Sequence, residues 1–152
     1  MNESILVVDD DAGVRKTLSS ILSENGYLIV TAEDGKQALR ATEKEYFDAA
    51  LIDIELPDMK GTELLLRLKE RQPRMVRIIV TGFPSIENAI KAVNQGADGY
   101  VLKPFDVGEL LEMIRKHLNE KAAEHFRMWM EMEKSTKFSE QFKKPKGSIF
   151  SS

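Results

Sequence analysis

Short apolar runs, rich in β-branched residues, alternate along this chain with longer segments in which apolar residues recur at helical spacing. The apolar runs predict five strands, at residues 5–8, 28–31, 49–52, 77–81 and 99–102. The segments between them predict helices at about 12–25, 34–41, 62–72 and 85–96, and a fifth helix that begins near residue 106 and continues past residue 118. The chain therefore consists of five consecutive strand–helix units.

Strand–helix units of this kind build a parallel sheet that is covered by helices on both faces. The third run, Ala-Ala-Leu-Ile at 49–52, is apolar without alternation, which is typical of a central strand buried on both sides. Crossover connections between parallel strands are right-handed, so the pattern predicts an α/β fold with a doubly wound parallel sheet. A chain of 152 residues is long enough for one such domain with appendages.

Composition narrows the class of protein without identifying its chemistry. Apolar residues make up 42% and charged residues 31%, which is typical of a water-soluble globular protein. No apolar run approaches the roughly 20 residues of a spanning helix, and the absence of cysteine fits a reducing compartment, so we expect a cytoplasmic protein with no membrane contact. The net charge of −3 argues against nonspecific nucleic-acid binding and favours protein partners.

Polar residues follow four of the five predicted strands. Parallel strands bring their carboxyl ends to one edge of a doubly wound sheet, and ligands bind at that edge. The residues that follow the first, third, fourth and fifth strands are Asp9, Asp10 and Asp11, then Asp53, then Thr81 and Gly82, then Lys103 and Pro104. We therefore expect them to share one site.

Carboxylates that meet at such an edge repel one another, so the cluster requires a cation. Oxygen ligands without His or Cys favour Mg²⁺ or Mn²⁺, and Mg²⁺ binds through one or two carboxylates together with a phosphate. Asp53, on the central strand, is then placed to act as a nucleophile that forms an acyl phosphate. Lys103 and the metal would balance the charge of the phosphoryl oxygens, and the Thr81 hydroxyl would donate a hydrogen bond to one of them.

Each of these residues also has a simpler interpretation. An aspartate between a strand and a helix often caps the helix, and we accept that interpretation for Asp11. An aspartate after a strand is often a turn residue, Thr81 fits any strand, and Tyr100 could belong to the core. The matching positions at four strand ends favour the phosphoryl-transfer site over these separate explanations. His117 and His125 fall on the last helix and are read as surface or packing residues.

Over residues 2–118 the sequence resembles the receiver domains of two-component response regulators. The stretches that carry the resemblance are ILVVDDDAGVRKTL, ALIDIELPDMKGTELL and IIVTGFPSIENAIKAVNQGADGYVLKPF. The third stretch is most similar to nitrogen-regulation regulators of the ATPase type, here without their effector domain. The resemblance implies a flavodoxin-like sheet with strand order 2-1-3-4-5.

The resemblance also implies a role for each site residue. Asp9 and Asp10 match the acidic pair, with Asp10 as the direct metal ligand, and Asp53 matches the phosphoacceptor, which also binds the metal. The backbone carbonyl of Glu55 matches the third protein ligand to Mg²⁺. The remaining matches are Thr81 as the switch hydroxyl, Lys103 as the phosphate-contacting lysine, Tyr100 as the aromatic residue that turns inward on activation, and Pro104 as a cis-proline after Lys103.

Residues 119–152 are too few for an ATPase or DNA-binding effector, and they lack a GxxxxGK[ST] phosphate loop. We expect either a stand-alone receiver or a chain cut from a longer regulator. Residues 119–135 predict an extension of the last helix, and residues 136–152 predict a flexible basic tail. The apolar stripe of the extension needs cover, by its own domain or by a second copy, and Trp129 with nearby methionines favours a homodimer.

Three functions are compatible with these features. The first is a phosphorylation-dependent signalling switch, modified on Asp53 by a sensor histidine kinase or phosphotransfer protein and read by a downstream protein target. It would assist its own phosphorylation and dephosphorylation without being an enzyme in the ordinary sense. The second is a pseudo-receiver or assembly module that binds partners without phosphorylation. The third, a magnesium phosphohydrolase, is the weakest because a DxD pair and a substrate cap are missing.

Overall fold

The computed structural model describes the backbone of residues 2–150 and the side chains through residue 136. Five strands alternate with five helices: β1 (Ser4–Val8), α1 (Ala12–Glu24), β2 (Leu28–Ala32), α2 (Gly35–Lys44), β3 (Ala49–Ile52), α3 (Gly61–Arg71), β4 (Val76–Thr81), α4 (Ile86–Asn94), β5 (Gly99–Leu102) and α5 (Val107–Phe150). The chain divides into two compact units, Met1–Leu118 and Asn119–Ser152, which are described separately.

The first unit contains a five-stranded sheet in which every pair of neighbouring strands is parallel. The strand order is β2-β1-β3-β4-β5, which confirms the predicted doubly wound fold. β3 lies in the middle of the sheet and all four of its residues are buried. The apolar run at 49–52 therefore indicated the central strand correctly.

Two apolar clusters cover the two faces of the sheet, because alternate residues of a strand point to opposite sides. Ile5 and Val7 of β1 belong to the cluster that includes Leu18 and Leu22 of α1 and residues 110–118 of α5. Leu6 and Val8 belong to the cluster that includes residues of α2, α3 and α4. The strands are thus fixed from both faces, and their carboxyl ends meet at one edge.

Side chains and backbone groups at the helix starts satisfy N–H groups that have no partner within the helix. Asp11 accepts hydrogen bonds from the N–H groups of Gly13 and Val14, which confirms its predicted role as the cap of α1. Asp34 accepts one from Gln37 at the start of α2, and Ser85 accepts one from Asn88 at the start of α4. These caps set where each helix leaves the loops that surround the sheet edge.

In the second unit, the helix α5 continues to Phe150, further than the predicted extension at 119–135. Phe126, Met128, Trp129 and Met132 are exposed there, and the rings of Phe126 and Trp129 lie 6.4 Å apart between centroids. The predicted flexible basic tail falls on residues 136–152, whose side chains beyond 136 lie outside the described residues, so it stays a prediction. Within residues 2–150 no helix is both long and apolar enough to span a membrane.

Candidate functional site

Three acidic side chains meet at the carboxyl edge of the sheet. One carboxylate oxygen each from Asp9, Asp10 and Asp53 lies within 4.8 Å of the other two. Among the acidic and histidine side chains that the structure describes, these three lie close enough together to share one metal ion. Asp9 and Asp53 are 3% and 4% exposed, whereas Asp10 faces solvent. The cluster thus has two buried members and one open side.

The backbone of the site continues the hydrogen-bond ladder of the sheet by one residue. The N–H of Asp9 donates to the carbonyl of Ala32 at 3.1 Å, and that of Asp53 donates to Val8 at 3.0 Å. The N–H of Lys103 donates to Thr81 at 2.9 Å. Three site residues are therefore held at the main chain by neighbouring strands, although each lies beyond the end of its own strand.

Lys103 joins the two buried carboxylates. Its Nζ donates to Oδ2 of Asp9 at 2.7 Å and to Oδ2 of Asp53 at 3.1 Å. Burial would lower the pKa of Lys103, but the hydrogen bonds to Asp9 and Asp53 and the charges of both outweigh burial and raise this pKa. Lys103 is therefore an ammonium ion at neutral pH and offsets negative charge in the cluster.

Asp9 is the carboxylate most affected by its surroundings. Burial raises the pKa of Asp9 above its ordinary value, and the hydrogen bonds from Lys103 and from the N–H of Asp11 offset this only in part. The charge of Asp53 adds to the upward shift. A cation bound between these carboxylates would favour the ionised form of Asp9, so the electrostatics of the site fit a divalent metal.

The donor set of the site also fits Mg²⁺ or Mn²⁺, because the clustered side chains offer only carboxylate oxygens. The side chain of Glu55 does not join the cluster: its Oε1 pairs with Nζ of Lys60 at 2.6 Å. The N–H of Glu55 lies 3.4 Å from Oδ1 of Asp53, so its backbone is next to the acidic cluster. His117 is half-buried on α5 and His125 is exposed; neither belongs to the group.

Thr81 and Tyr100 lie on β4 and β5 and, among the described side chains, neither hydrogen bonds to the carboxylates or to Lys103. Thr81 is fully buried, and its Oγ1 accepts a hydrogen bond from the N–H of Phe83 at 3.1 Å. The hydroxyl of Tyr100 is buried and makes no hydrogen bond of acceptable geometry in the described part of the chain. Burial raises the pKa of Tyr100, and the nearby backbone of Ser85 offsets this in part.

Proline and glycine residues at the edge differ in their surroundings. The peptide bond between Lys103 and Pro104 is cis. A Cβ atom at Gly82 would meet nothing nearer than the side chain of Lys103 at 3.9 Å, so no steric constraint excludes a side chain there. That constraint occurs instead at Gly61, where a Cβ would collide with the carbonyl oxygen of Asp53 and approach Cα of Ile54 to 2.8 Å.

Two residues near the site were not anticipated from the sequence. Arg15 donates from Nη1 to the backbone carbonyl of Asp9 at 2.7 Å and pairs through Nη2 with Glu33 at 3.4 Å. Gly61 donates its N–H to the carbonyl of Ile54 at 2.6 Å and so closes the loop that follows Asp53. The position of Gly61 between a loop and a helix could have indicated its importance. Nothing in the local sequence pattern indicates the contact of Arg15 with Asp9.

Comparison with known proteins agrees with this geometry. Residues 5–115 match the family model described as the response regulator receiver domain. Sporulation initiation phosphotransferase F of Bacillus subtilis (strain 168) is 36% identical over 118 residues, which cover 78% of this chain and 95% of that protein. Transcriptional regulatory protein GlrR of Escherichia coli (strain K12) is 35% identical over 127 residues, which cover 84% of this chain and 29% of GlrR.

A solved structure gives the same result for the fold. The CheY-like receiver domain protein of Methanospirillum hungatei JF-1 superimposes with a TM-score of 0.79 at 41% identity, covering 82% of this chain and 99% of that one. The chain spans less than a third of the length of GlrR and nearly all of the length of the sporulation phosphotransferase. On the family match, the identity with these relatives and the shared fold, the chain belongs to the receiver domains of response regulators.

Proposed function

We propose that this chain is a phosphorylation-dependent signalling switch in which Asp53 accepts a phosphoryl group in the presence of Mg²⁺ and the α4–β5–α5 face changes in response. The observation that carries the proposal is the contact of Lys103 with both Asp9 and Asp53, inside a cluster of three carboxylates. This contact brings a nucleophile, a fixed cation and a set of oxygen ligands together, which phosphoryl transfer requires.

Asp53 is the group that we expect to react. A carboxylate oxygen of Asp53 attacks the phosphorus of a phosphohistidine on the donor, so that a P–O bond forms while the P–N bond breaks. The electron pair of the broken bond returns to the imidazole nitrogen, which takes a proton from solvent. The hydrogen bond from the N–H of Asp53 to the carbonyl of Val8 holds the backbone of the nucleophile in place. Lys103 provides a positive charge beside the incoming phosphoryl oxygens.

Asp9, Asp10, Asp53 and the carbonyl of Glu55 are the groups that would hold Mg²⁺. When bound, the metal supplies positive charge to the phosphoryl oxygens and reduces repulsion among the carboxylates. Asp10 is the exposed member of the cluster, which suits a ligand that faces an arriving ion, and we assign it direct contact with the metal. Asp9, which is buried and accepts a hydrogen bond from Lys103, would supply negative charge on the inner side of the cluster.

Thr81 and Tyr100 are the groups that we expect to transmit the change. The Thr81 hydroxyl accepts from Phe83, so its own hydrogen remains available for a phosphoryl oxygen on Asp53. The Tyr100 hydroxyl is buried beside the backbone of Ser85 without a hydrogen bond of acceptable geometry among the described residues, which favours a rearrangement that improves this contact. Movement of Thr81 toward the phosphoryl group would change the packing around Tyr100 and shift the population of the face between α4 and α5.

Mass spectrometry after incubation with acetyl phosphate and Mg²⁺ tests this proposal. We expect the wild-type chain to gain the mass of one phosphoryl group and Asp53→Asn to gain none, because the variant lacks the nucleophilic oxygen. Asp10→Asn should react more slowly, since one metal ligand loses its charge. If the wild-type chain gains no mass, the pseudo-receiver function, binding without phosphorylation, replaces this one. Rapid and sustained phosphate release would instead favour a phosphohydrolase.

The partners follow from the family and stay proposals for this chain. We propose a sensor histidine kinase or phosphotransfer protein as the donor. The relatives of regulatory type are longer than this chain, so the output would be read either by a separate protein target or by an effector domain of a longer regulator. A cytoplasmic location, predicted from the sequence, accords with such partners.

We also propose that the helix beyond residue 118 pairs with a second copy. Its apolar side chains are exposed in the described part of the chain, with Trp129 at 52% and Phe126 at 60%. Light scattering should therefore give the mass of a dimer for the wild-type chain. Trp129→Lys should give a monomer, because a charge would replace the largest apolar side chain of the stripe. Arg127→Ala, on the opposite side of the helix, should remain dimeric. A monomeric wild type, with and without a phosphate mimic, would contradict this pairing.

A further inference from the structure

The loop between β3 and α3 carries the residues next to the phosphoacceptor and is fastened to a second element by Asp58. Oδ1 of Asp58 accepts a hydrogen bond from the N–H of Gly35 at 2.9 Å, and Oδ2 accepts one from the N–H of Lys36 at 2.9 Å. Both donors lie in the first turn of α2, more than twenty residues earlier in the chain. One carboxylate thus connects the loop to the start of a helix.

Asp58 accepts from two N–H groups of the first turn that the side chain of Asp34 leaves without a partner. Asp34 already caps α2 by accepting from the N–H of Gln37 at 2.8 Å. Although burial acts to raise the pKa of Asp58, the backbone N–H groups of Gly35 and Lys36 hold it below its ordinary value. Asp58 is therefore an anion that takes two charge-assisted hydrogen bonds at the positive end of the helix. The contact therefore constrains both the start of α2 and the β3–α3 loop.

The same loop is closed at its base. The N–H of Gly61 donates to the carbonyl of Ile54 at 2.6 Å, and Lys60 pairs with Glu55 at 2.6 Å. Glu55 stands three residues before Asp58, and its backbone lies beside Asp53. The base of the loop is thus tied to itself, whereas Asp58 ties its outer part to α2. A backbone carbonyl can serve as a metal ligand only where the main chain is held in place.

We propose that Asp58 is a positioning residue for the metal site: by binding the first turn of α2, it holds the β3–α3 loop so that the Glu55 carbonyl can bind Mg²⁺. This inference rests on the proposed function, since it concerns the same cation. Asp58 itself touches neither the metal nor the phosphoryl group. Its effect is on the affinity for Mg²⁺, and the chemical step at Asp53 is unchanged once the metal is bound.

Asp58→Ala and Asp34→Ala form a matched pair, because each removes a carboxylate from the start of α2 and only the first releases the loop. An amide NMR titration of the full chain with MgCl₂ should show about 10-fold weaker binding for Asp58→Ala, the loss expected when support of a metal ligand is removed. Asp34→Ala should bind Mg²⁺ as the wild type does, although both variants lose thermal stability. Asp58→Asn, which keeps one acceptor oxygen, should fall between wild type and Asp58→Ala.

Amide hydrogen exchange in EDTA provides a second readout that is independent of metal and of phosphorylation. Asp58→Ala should increase exchange at Gly61 and Glu55 relative to both wild type and Asp34→Ala. Equal Mg²⁺ affinity in the two alanine variants, or unchanged exchange in the loop, overturns the role of Asp58 and leaves the proposed function intact. A wild-type chain that does not bind Mg²⁺ overturns both. At saturating Mg²⁺ the phosphorylation rate of Asp58→Ala should equal that of the wild type; a persistent defect contradicts a role in positioning alone.

Discussion

Replacing Lys103 with methionine is expected to lower the free energy of unfolding by about 3 kcal/mol at neutral pH, the loss typical of a buried ion pair from which one partner is removed. The side chains of Asp9 and Asp53 are 4% and 5% exposed, so solvent cannot replace the ammonium group that bridges them. Methionine keeps most of the apolar stem of the lysine, which limits the change to charge and hydrogen bonding. Urea denaturation of the metal-free chain measures the difference.

The destabilisation should depend on pH in a definite direction. Because burial raises the pKa of Asp9, the folded state holds a proton on Asp9 more tightly than the unfolded chain does, so acidification adds stability at this residue and alkalinisation removes it. Lys103→Met removes a hydrogen bond and a charge that lower this pKa, which moves the window upward. Lys103 itself loses its contribution only above its ordinary pKa of 10.5. The deficit of the variant should therefore shrink as the pH falls from neutrality toward the ordinary pKa of Asp9.

Two controls separate this explanation from a general loss of a lysine. Lys91→Met removes an exposed positive charge from α4 and should change stability by less than about 0.5 kcal/mol. Mg²⁺ should restore part of the stability of Lys103→Met, since a divalent cation can take over the neutralisation of the carboxylates. A deficit that is constant with pH and insensitive to Mg²⁺ would show that Lys103 acts through packing.

The second large effect is expected at Gly61. A Cβ atom there would collide with the carbonyl oxygen of Asp53 and lie 2.8 Å from Cα of Ile54. These are main-chain atoms of the segment that bears Asp53, the proposed phosphoacceptor, and they cannot turn aside as the end of a side chain can. Gly61→Ala should therefore lower the free energy of unfolding by about 3 kcal/mol, at the upper end of the range for overpacking.

Gly82→Ala is the control for Gly61→Ala. Both glycines flank the site, but a Cβ at Gly82 meets only Lys103 at the ordinary distance of 3.9 Å. We expect the Gly82 variant to stay within about 0.5 kcal/mol of the wild type in denaturant titrations. Equal losses in the two variants would mean that the contact between Gly61 and the backbone of Asp53 does not set the outcome.

The sheet and the cluster at its edge could be predicted from the sequence because both follow from periodic patterns. Apolar runs such as 49–52 located the strands, and the rule that parallel strands end at one edge brought Asp9, Asp53 and Lys103 together. The cap residue Asp11 was predictable because its hydrogen bonds are local.

Contacts between distant loops could not be predicted in this way. Asp58 binds N–H groups more than twenty residues away, and Arg15 binds the carbonyl of Asp9 from the next helix, without any repeating pattern. The two contacts of Lys103 could not be predicted either. The sequence suggested a phosphoryl group as the partner of Lys103, whereas in the structure Lys103 donates to the carboxylates of Asp9 and Asp53. The lack of space for a side chain at Gly61 depends on where the main-chain atoms of Asp53 and Ile54 lie in the folded protein. The sequence pattern does not give these positions.

The N–H groups of Asp9, Asp53 and Lys103 donate hydrogen bonds to adjacent strands. The sheet therefore holds the backbone of these residues independently of most of the loops around them. Insertions in loops other than the β3–α3 loop should therefore leave the backbone spacing of these three residues unchanged. Under the proposed function, such insertions would change the surface presented to partner proteins without moving the reacting groups apart.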